Sequence, residues 1–277
     1  MQGNGHRVAL WPESSLIPYD ESHSLMYVPI VYDHHPHNGH ATFTYVGTTL
    51  IKVHVSEAGP VAERIAPMLF TSKEVEWGGI GGIRSYGTSG PGGKDGKVYI
   101  FGNGIGGLLL ARVDYSKITD RSAYEYYTEG GGWGTMQSQS SKAFFIEGYF
   151  MNADLFYSPR HRTFIMVYLT PFADNTIYYR YLLADKPILP SYAGGDGDDI
   201  VENIFKYKWS NETFLYKATG GPTGRFVYSG GMSPGYFGED DVTNGGSSML
   251  LQWSMPTGAN PAKAPSEYQL ITARVEW

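Results

Sequence analysis

Three glutamates stand in settings that are unusual for an acidic side chain. Glu13 follows Trp-Pro, Glu76 precedes Trp-Gly-Gly, and Glu147 precedes Gly-Tyr-Phe. Burial among glycine and aromatic residues removes water from a carboxylate and raises its pKa. A carboxyl group that keeps its proton near neutral pH can act as a general acid. We therefore take Glu76, Glu13 and Glu147 as candidate catalytic residues, with solvated loops as the alternative for Glu13 and Glu147.

Aromatic and polar side chains near these glutamates are candidate ligand-binding residues. The flat rings that could stack on a ligand are those of Trp11, Trp77, Tyr149 and Tyr236. Asp33 and His35 begin the run Asp-His-His-Pro-His-Asn-Gly-His, which holds four of the eight histidines. Such a run could bind a transition metal or supply a base. Because it lacks the fixed spacing of a metal site and its Pro and Gly indicate a turn, we predict no metal there.

The composition excludes several function classes. Among 277 residues, 21 Lys and Arg stand against 27 Asp and Glu, a net charge of −6, and no basic stripe is present. We therefore expect neither nucleic-acid binding nor adhesion to anionic membranes. The absence of cysteine excludes disulfides, zinc thiolate sites and cysteine nucleophiles. The sequence predicts no secretory signal, but a mature secreted form would look the same, so the compartment stays open.

Short apolar runs separated by glycine, proline, aspartate and asparagine predict an all-β fold. Only residues 61–66 indicate a helix. Four units recur along the chain, each with an apolar strand followed by a strand that carries one basic residue. These basic residues are Lys52, Arg112, Arg180 and Arg274, and we predict equivalent positions for them. The repeats favour a single β-propeller domain over residues 1–277, of five-bladed type with four recognisable blades, and an irregular sandwich is the alternative.

In a propeller, the first strand of each blade lines the central channel. These strands are predicted to begin near residues 10–14, 74–79, 147–152 and 228–232, which places the candidate glutamates at strand starts. Glycine-rich inner strands fit a place where several strands crowd together. We also expect the ring to close by pairing of residues 6–10 with residues 270–277.

Three motifs resemble one known group of proteins. They are Glu76-Trp77-Gly78-Gly79, the strand at residues 107–113 and the hairpin at residues 156–168. With these motifs the chain resembles fungal and bacterial five-bladed propellers of unknown function that are related to endo-D-arabinanases. The resemblance implies a glycoside-hydrolase-like protein that acts on furanosides through two channel carboxylates, with no cofactor. The chain departs from the pattern because its first blade lacks the Gly-Asp pair whose carboxylate belongs to the acid and base machinery.

Two other functions stay open because of that departure. Propellers of this general kind also occur among fungal secondary-metabolite cyclases of the hetero-Diels–Alderase type. An aromatic channel could orient an apolar polyketide or terpenoid without an acid and base pair. A non-catalytic carbohydrate-binding propeller is the other alternative, since aromatic rings bind sugars without cleaving them. All three predict a small-molecule or glycan partner.

Overall fold

The structure is a computed structural model that describes residues 7–12, 14, 16–20, 22–34, 42–85, 96–137, 143–158, 160–170, 175–185, 207–218, 227–233, 248–256 and 268–276. The described strands form four successive antiparallel sheets, which confirms the all-β, β-propeller class with four recognisable blades. The chain forms two compact units, one built from the first two sheets and the other from the last two. No helix among the described residues is long and apolar enough to cross a membrane.

The first sheet has the strand order β1-β3-β4-β5, and β2 also pairs with β3. Its strands are β1 (Arg7–Leu10), β2 (Ile17–Pro18), β3 (His23–His34), β4 (Thr42–Ser56) and β5 (Gly59–Thr71). The prediction that residues 6–10 close a ring against residues 270–277 is wrong for the described part of this segment. β1 instead pairs with β3, and an ion pair between Arg7 Nε and Asp33 Oδ2 at 2.9 Å fixes this register.

The predicted helix at residues 61–66 is also wrong, because this segment lies inside β5. Val53 pairs with Ala62 and Lys52 with Glu63 across an antiparallel hairpin with β4. Gly59 has φ of +109° at the turn, a conformation that favours glycine. An isolated six-residue helix would be marginal, whereas the long β4 offers β5 an extended, though bulged, ladder of backbone hydrogen bonds.

The second sheet has the order β10-β9-β8-β7-β6, and β11 pairs with β8. Its strands are β6 (Glu76–Ser85), β7 (Lys97–Gly104), β8 (Gly107–Asp114), β9 (Glu125–Tyr127), β10 (Trp133–Gly134) and β11 (Ile146–Glu147). Two short 3₁₀ turns, Tyr115–Lys117 and Arg121–Ala123, connect β8 to β9. The first unit is therefore built almost entirely from hairpins.

A buried aromatic cluster fills the core of the first unit. Trp77 is only 1% exposed, and its ring lies 5.1 Å from that of Tyr126 and 6.4 Å from that of Phe70. The Tyr124 hydroxyl donates to the Ile118 carbonyl at 2.7 Å. Tyr27 must therefore donate its own proton to Tyr124, at 2.9 Å. The two hydroxyls are thus satisfied within the core, as buried polar groups require.

The second unit contains the other two sheets. The third sheet comprises β12 (Asn152–Ser158), β13 (Thr163–Leu169), β14 (Thr176–Leu183), β15 (Lys208–Trp209) and β16 (Thr213–Lys217), and the fourth comprises β17 (Tyr228–Ser233), β18 (Ser248–Pro256) and β19 (Tyr268–Glu276). A buried carboxylate links them, since Asp154 Oδ2 of β12 accepts a hydrogen bond from the Met232 backbone of β17 at 2.7 Å. A Cβ at Gly231 would lie 2.4 Å from that oxygen, so the link requires glycine there.

The four basic residues all lie on the third strand of their sheets, as predicted. In three sheets the cation faces a glutamate that follows along the chain: Lys52 with Glu63 at 3.7 Å, Arg112 with Glu125 at 2.8 Å and Arg180 with Glu212 at 3.9 Å. In the fourth, Arg274 pairs with Glu276 of its own strand at 3.1 Å. In the first three sheets, a residue that follows the third strand along the chain thus supplies the partner of its cation.

We expect Arg112→Met to lower stability more than it lowers any activity. The substitution removes the ion pair with Glu125 and the stacking of the guanidinium 4.0 Å above the Trp133 ring. The expected loss in the free energy of unfolding is about 1 kcal/mol, measured by urea denaturation. Arg274→Met is the matched control, because its pair is mostly exposed and should change stability by less than about 0.5 kcal/mol. Equal losses in the two variants would contradict the prediction.

We expect Gly78→Ala to destabilise the first unit by about 2 to 4 kcal/mol. Gly78 has φ of +80°, and an added Cβ would lie 2.2 Å from the Cβ of the buried Tyr27. Gly132→Ala is the control, because nothing lies within 4 Å of a Cβ built there. Unchanged urea midpoints for both variants would contradict this packing.

Candidate functional site

Glu76 is the first residue of β6, and its carboxyl group is partly buried in the first unit. Burial raises the pKa of Glu76 above its ordinary value of 4.5. A Cβ at Gly79 would lie 2.9 Å from Glu76 Oε1, so glycine provides the space that this carboxyl occupies. Among the described residues, none donates a hydrogen bond to Glu76 or forms an ion pair with it. The environment therefore disfavours the charged form of Glu76, which lacks the donors that stabilise a structural anion.

Two consecutive hydrogen bonds, which connect Tyr45 to Thr48 and Thr48 to the Trp77 backbone, lie beside this carboxyl group. The Thr48 hydroxyl donates to the Trp77 carbonyl at 3.2 Å. Thr48 has only one proton, so the Tyr45 hydroxyl must donate to Thr48 Oγ1, at 2.8 Å. Burial raises the pKa of Tyr45 to about 12, and Glu76 and Glu74 add to this increase when they are ionised. Tyr45 therefore stays neutral at physiological pH.

Glu74, two residues before Glu76, has the opposite environment. Its Oε1 accepts hydrogen bonds from Arg121 Nε at 2.8 Å and Gln137 Nε2 at 2.7 Å. Its Oε2 accepts from the backbone and hydroxyl of Thr71. Burial opposes ionisation, but the donors from Arg121 and Thr71 outweigh it and lower the pKa of Glu74. Glu74 is thus an ionised anchor that holds the start of β6.

An exposed aromatic pair lies on the first sheet of the same unit. The rings of Trp11 and Phe43 meet edge to face, with centroids 4.6 Å apart, and Phe43 is 47% exposed. The Trp11 backbone is held by a hydrogen bond to the Pro29 carbonyl at 3.0 Å. Alternate residues of a strand point to one side, so Phe43 and Tyr45 project from the same face of β4. Apolar ring surface and the Tyr45 hydroxyl therefore belong to one face.

The structure separates the other predicted site residues. Trp77 is packed in the core, and Asp33 is 6% exposed and paired with Arg7. Tyr149 is 67% exposed. The positions of Glu13, His35 and Tyr236 fall outside the described residues. The catalytic role of Glu13 and the ligand-binding roles of the other residues stay predictions.

The expected position of Glu147 at the start of an inner strand is wrong. Glu147 belongs to the short β11, where it pairs with Gly107 at the start of β8, and its side chain is exposed. The first strand of the third sheet begins later, at Asn152. Glu147 therefore lacks the burial on which its assignment as an acid was based, while its catalytic role stays untested.

Sequence reasoning missed Glu74 and Tyr45 as members of this site. Glu74 was visible as a second acid at the start of β6, but its partners Arg121 and Gln137 are 47 and 63 residues away. Within the described part of the chain, no group of three or more His, Asp or Glu side chains could hold a metal ion.

No protein-family profile and no curated protein matches the chain. A crystal structure of a Bacteroides ovatus protein, provisionally classed as a hydrolase, is similar with a TM-score of 0.57 at 12% sequence identity. The similarity covers 98% of this chain and 61% of that protein, so this chain spans about three fifths of the length of the hydrolase. At this identity the comparison shows the fold alone.

We expect Glu76→Gln to stabilise the protein at pH 8 and to have little effect at pH 4. A raised pKa means that the folded state holds the proton more tightly, so stability falls as pH rises from the ordinary pKa of 4.5 to the raised one. Glutamine is neutral throughout and avoids this loss. The melting temperatures of both proteins across this pH range measure the difference.

Glu74→Gln is the control, because it should change the stability of the protein in the opposite direction. Because the pKa of Glu74 is lowered, its carboxylate stabilises the fold above the ordinary pKa, and this contribution disappears as pH falls. The glutamine variant should therefore be less stable than wild type at pH 7. Parallel pH profiles for the two variants would contradict the assigned environments.

Proposed function

We propose that this protein is a glycoside hydrolase that acts on arabinofuranosides, with Glu76 as the general acid. The observation that carries the proposal is the partly buried Glu76 carboxyl group, whose pKa is raised and which has no partner among the described residues. The similarity of the fold to a Bacteroides ovatus protein that is provisionally classed as a hydrolase is consistent with this reaction class.

The acid step requires a proton that is held until the leaving group needs it. A glycosidic oxygen becomes a good leaving group when a carboxylic acid protonates it as the bond breaks. Glu76 fits this need because burial raises its pKa, so it holds its proton to higher pH than an exposed glutamate does. Tyr45 lies where it can orient a substrate hydroxyl beside the acid, because its own proton is committed to Thr48.

Hydrolysis also needs an ionised carboxylate to act as base or nucleophile. Glu74 does not fit this role, because Arg121, Gln137 and Thr71 occupy both of its oxygens. We propose Glu13 instead, since it lies two residues after Trp11, whose ring forms the exposed pair with Phe43. Glu147 is the remaining candidate for this role.

Substrate binding is proposed to use the half-buried ring of Trp11 and the exposed ring of Phe43. The C–H face of a sugar ring is apolar, so it packs on an aromatic face, while its hydroxyl groups need polar partners at the edge. The rings supply the apolar face, and Tyr45 and Glu76 supply the polar groups.

We expect Glu76→Gln to reduce kcat on p-nitrophenyl arabinofuranosides by about 10²- to 10⁴-fold, the usual contribution of a general acid. Wild-type kcat should fall at alkaline pH, as Glu76 loses its proton, and the variant should lack this limb. Glu57→Gln is the control, because Glu57 lies exposed in the turn between β4 and β5. Unchanged turnover and an unchanged pH profile in Glu76→Gln would refute the proposal.

A non-catalytic carbohydrate-binding protein is the second candidate. It is favoured by the full occupation of the Glu74 oxygens, which leaves no second available carboxylate beside Glu76 among the described residues. This function predicts that wild-type protein binds arabino-oligosaccharides without releasing reducing sugar. Phe43→Ala should then weaken binding, whereas Glu76→Gln should not.

A further inference from the structure

The second unit contains a groove that lies outside the site around Glu76. Its volume is about 670 Å³, within the range of about 300 to 1,000 Å³ that is usual for small-ligand sites. Ile165 of β13 and Tyr179 and Tyr181 of β14 form its floor. Ile165 pairs with Tyr181 in the sheet, so these side chains share one face.

The two tyrosines of the floor give the groove a flat apolar surface. Their rings are nearly parallel, with an interplanar angle of 24° and centroids 6.4 Å apart. Tyr181 is 39% exposed, and Tyr179 packs against the core cluster that includes Ile165. The core therefore fixes one ring, which in turn holds the other for a ligand.

The rim of the groove carries both a cation and an anion. Arg162 lies at the tip of the β12–β13 hairpin, and Asp185 follows the end of β14. His161 lies beside Arg162, and burial together with the charge of Arg160 lowers the pKa of His161. The imidazole is therefore mostly neutral at pH 7, so Arg162 and Asp185 are the charged side chains among the described residues that line the groove.

Arg162 also has an unusual backbone conformation. Its φ is +50°, which is uncommon for a residue other than glycine. An arginine at such a position costs stability that glycine would not, so the hairpin retains the guanidinium at a conformational cost. The guanidinium supplies five N–H donors at the rim, while Asp185 supplies acceptors.

We propose that this groove is a second binding site for a neutral saccharide. The parallel tyrosines pack against the C–H face of a sugar ring. Arg162 donates hydrogen bonds to its hydroxyl groups, and Asp185 accepts hydrogen bonds from them. The Asp185 carboxylate on the rim disfavours a uronate or a phosphorylated sugar. This site does not depend on Glu76, so it holds whether or not the first unit cleaves glycosidic bonds.

Affinity electrophoresis through gels that contain soluble polysaccharide tests the proposal. All proteins carry Glu76→Gln, so that hydrolysis cannot consume the gel. Arabinan, arabinoxylan, mixed-linkage β-glucan and pullulan are the neutral probes, and polygalacturonate is the anionic one. We expect retention by at least one neutral probe, and we expect Tyr181→Ala to raise its dissociation constant about tenfold or more.

Two further variants separate binding from folding. Arg162→Gly removes the guanidinium but relieves the backbone strain, so it should weaken retention without lowering the melting temperature. Phe214→Ala removes another exposed aromatic ring of the same unit, outside the groove, and should leave retention unchanged.

The outcomes distinguish this site from the proposed active site. No retention by any neutral probe, or retention by polygalacturonate alone, overturns the saccharide assignment. Retention that Phe43→Ala abolishes and Tyr181→Ala leaves intact also overturns it, because binding would then belong to the first unit. Turnover of p-nitrophenyl arabinofuranosides by protein with native Glu76 tests the hydrolase separately, and its failure leaves the groove assignment standing.

Discussion

The first unit depends on two consecutive residues of β6 that have no side chain, Gly78 and Gly79. The space next to Gly78 is filled by the side chain of Tyr27, and the space next to Gly79 is filled by the carboxyl group of Glu76. The same backbone therefore closes the aromatic core on one side and accommodates an acid on the other. A methyl group at either position would force a choice between packing and the position of the acid.

Two glutamates separated by one residue show how far local donors control ionisation. Glu74 and Glu76 both lose water on folding, but only Glu74 gains Arg121, Gln137 and Thr71 as donors. The result is one structural carboxylate with a lowered pKa and one carboxyl group with a raised pKa. Divergent pKa values in neighbouring carboxyl groups are a common property of acid-base sites. Here the anchor stabilises the strand from which the acid projects.

Local sequence predicted the strands and the repeat, but not the partners across the sheets. The apolar strands and the third-strand cations were recognisable because their pattern is local and recurs four times. Residues 61–66 resembled a helix because propensity does not reveal the partner strand β4. The burial of Trp77 was hidden for a related reason, since the register between β6 and β7 shifts between Trp77 and Gly82 and breaks simple alternation. Contacts between distant residues thus account for most of what the sequence did not predict about the site.

The hydrogen bond from Tyr45 to Thr48 limits which chemical groups can approach the acid. Because the phenolic proton is already given to Thr48, the Tyr45 oxygen offers only lone pairs to a newcomer. A hydroxyl or ammonium group can donate to it, whereas an ether, carbonyl or carboxylate oxygen would face electron-pair repulsion there. Glu76, when protonated, has the complementary preference and donates to an oxygen. A ligand that fits both side chains places an acceptor oxygen at Glu76 and a donating hydroxyl at Tyr45. A ligand bound in the reversed orientation would satisfy neither.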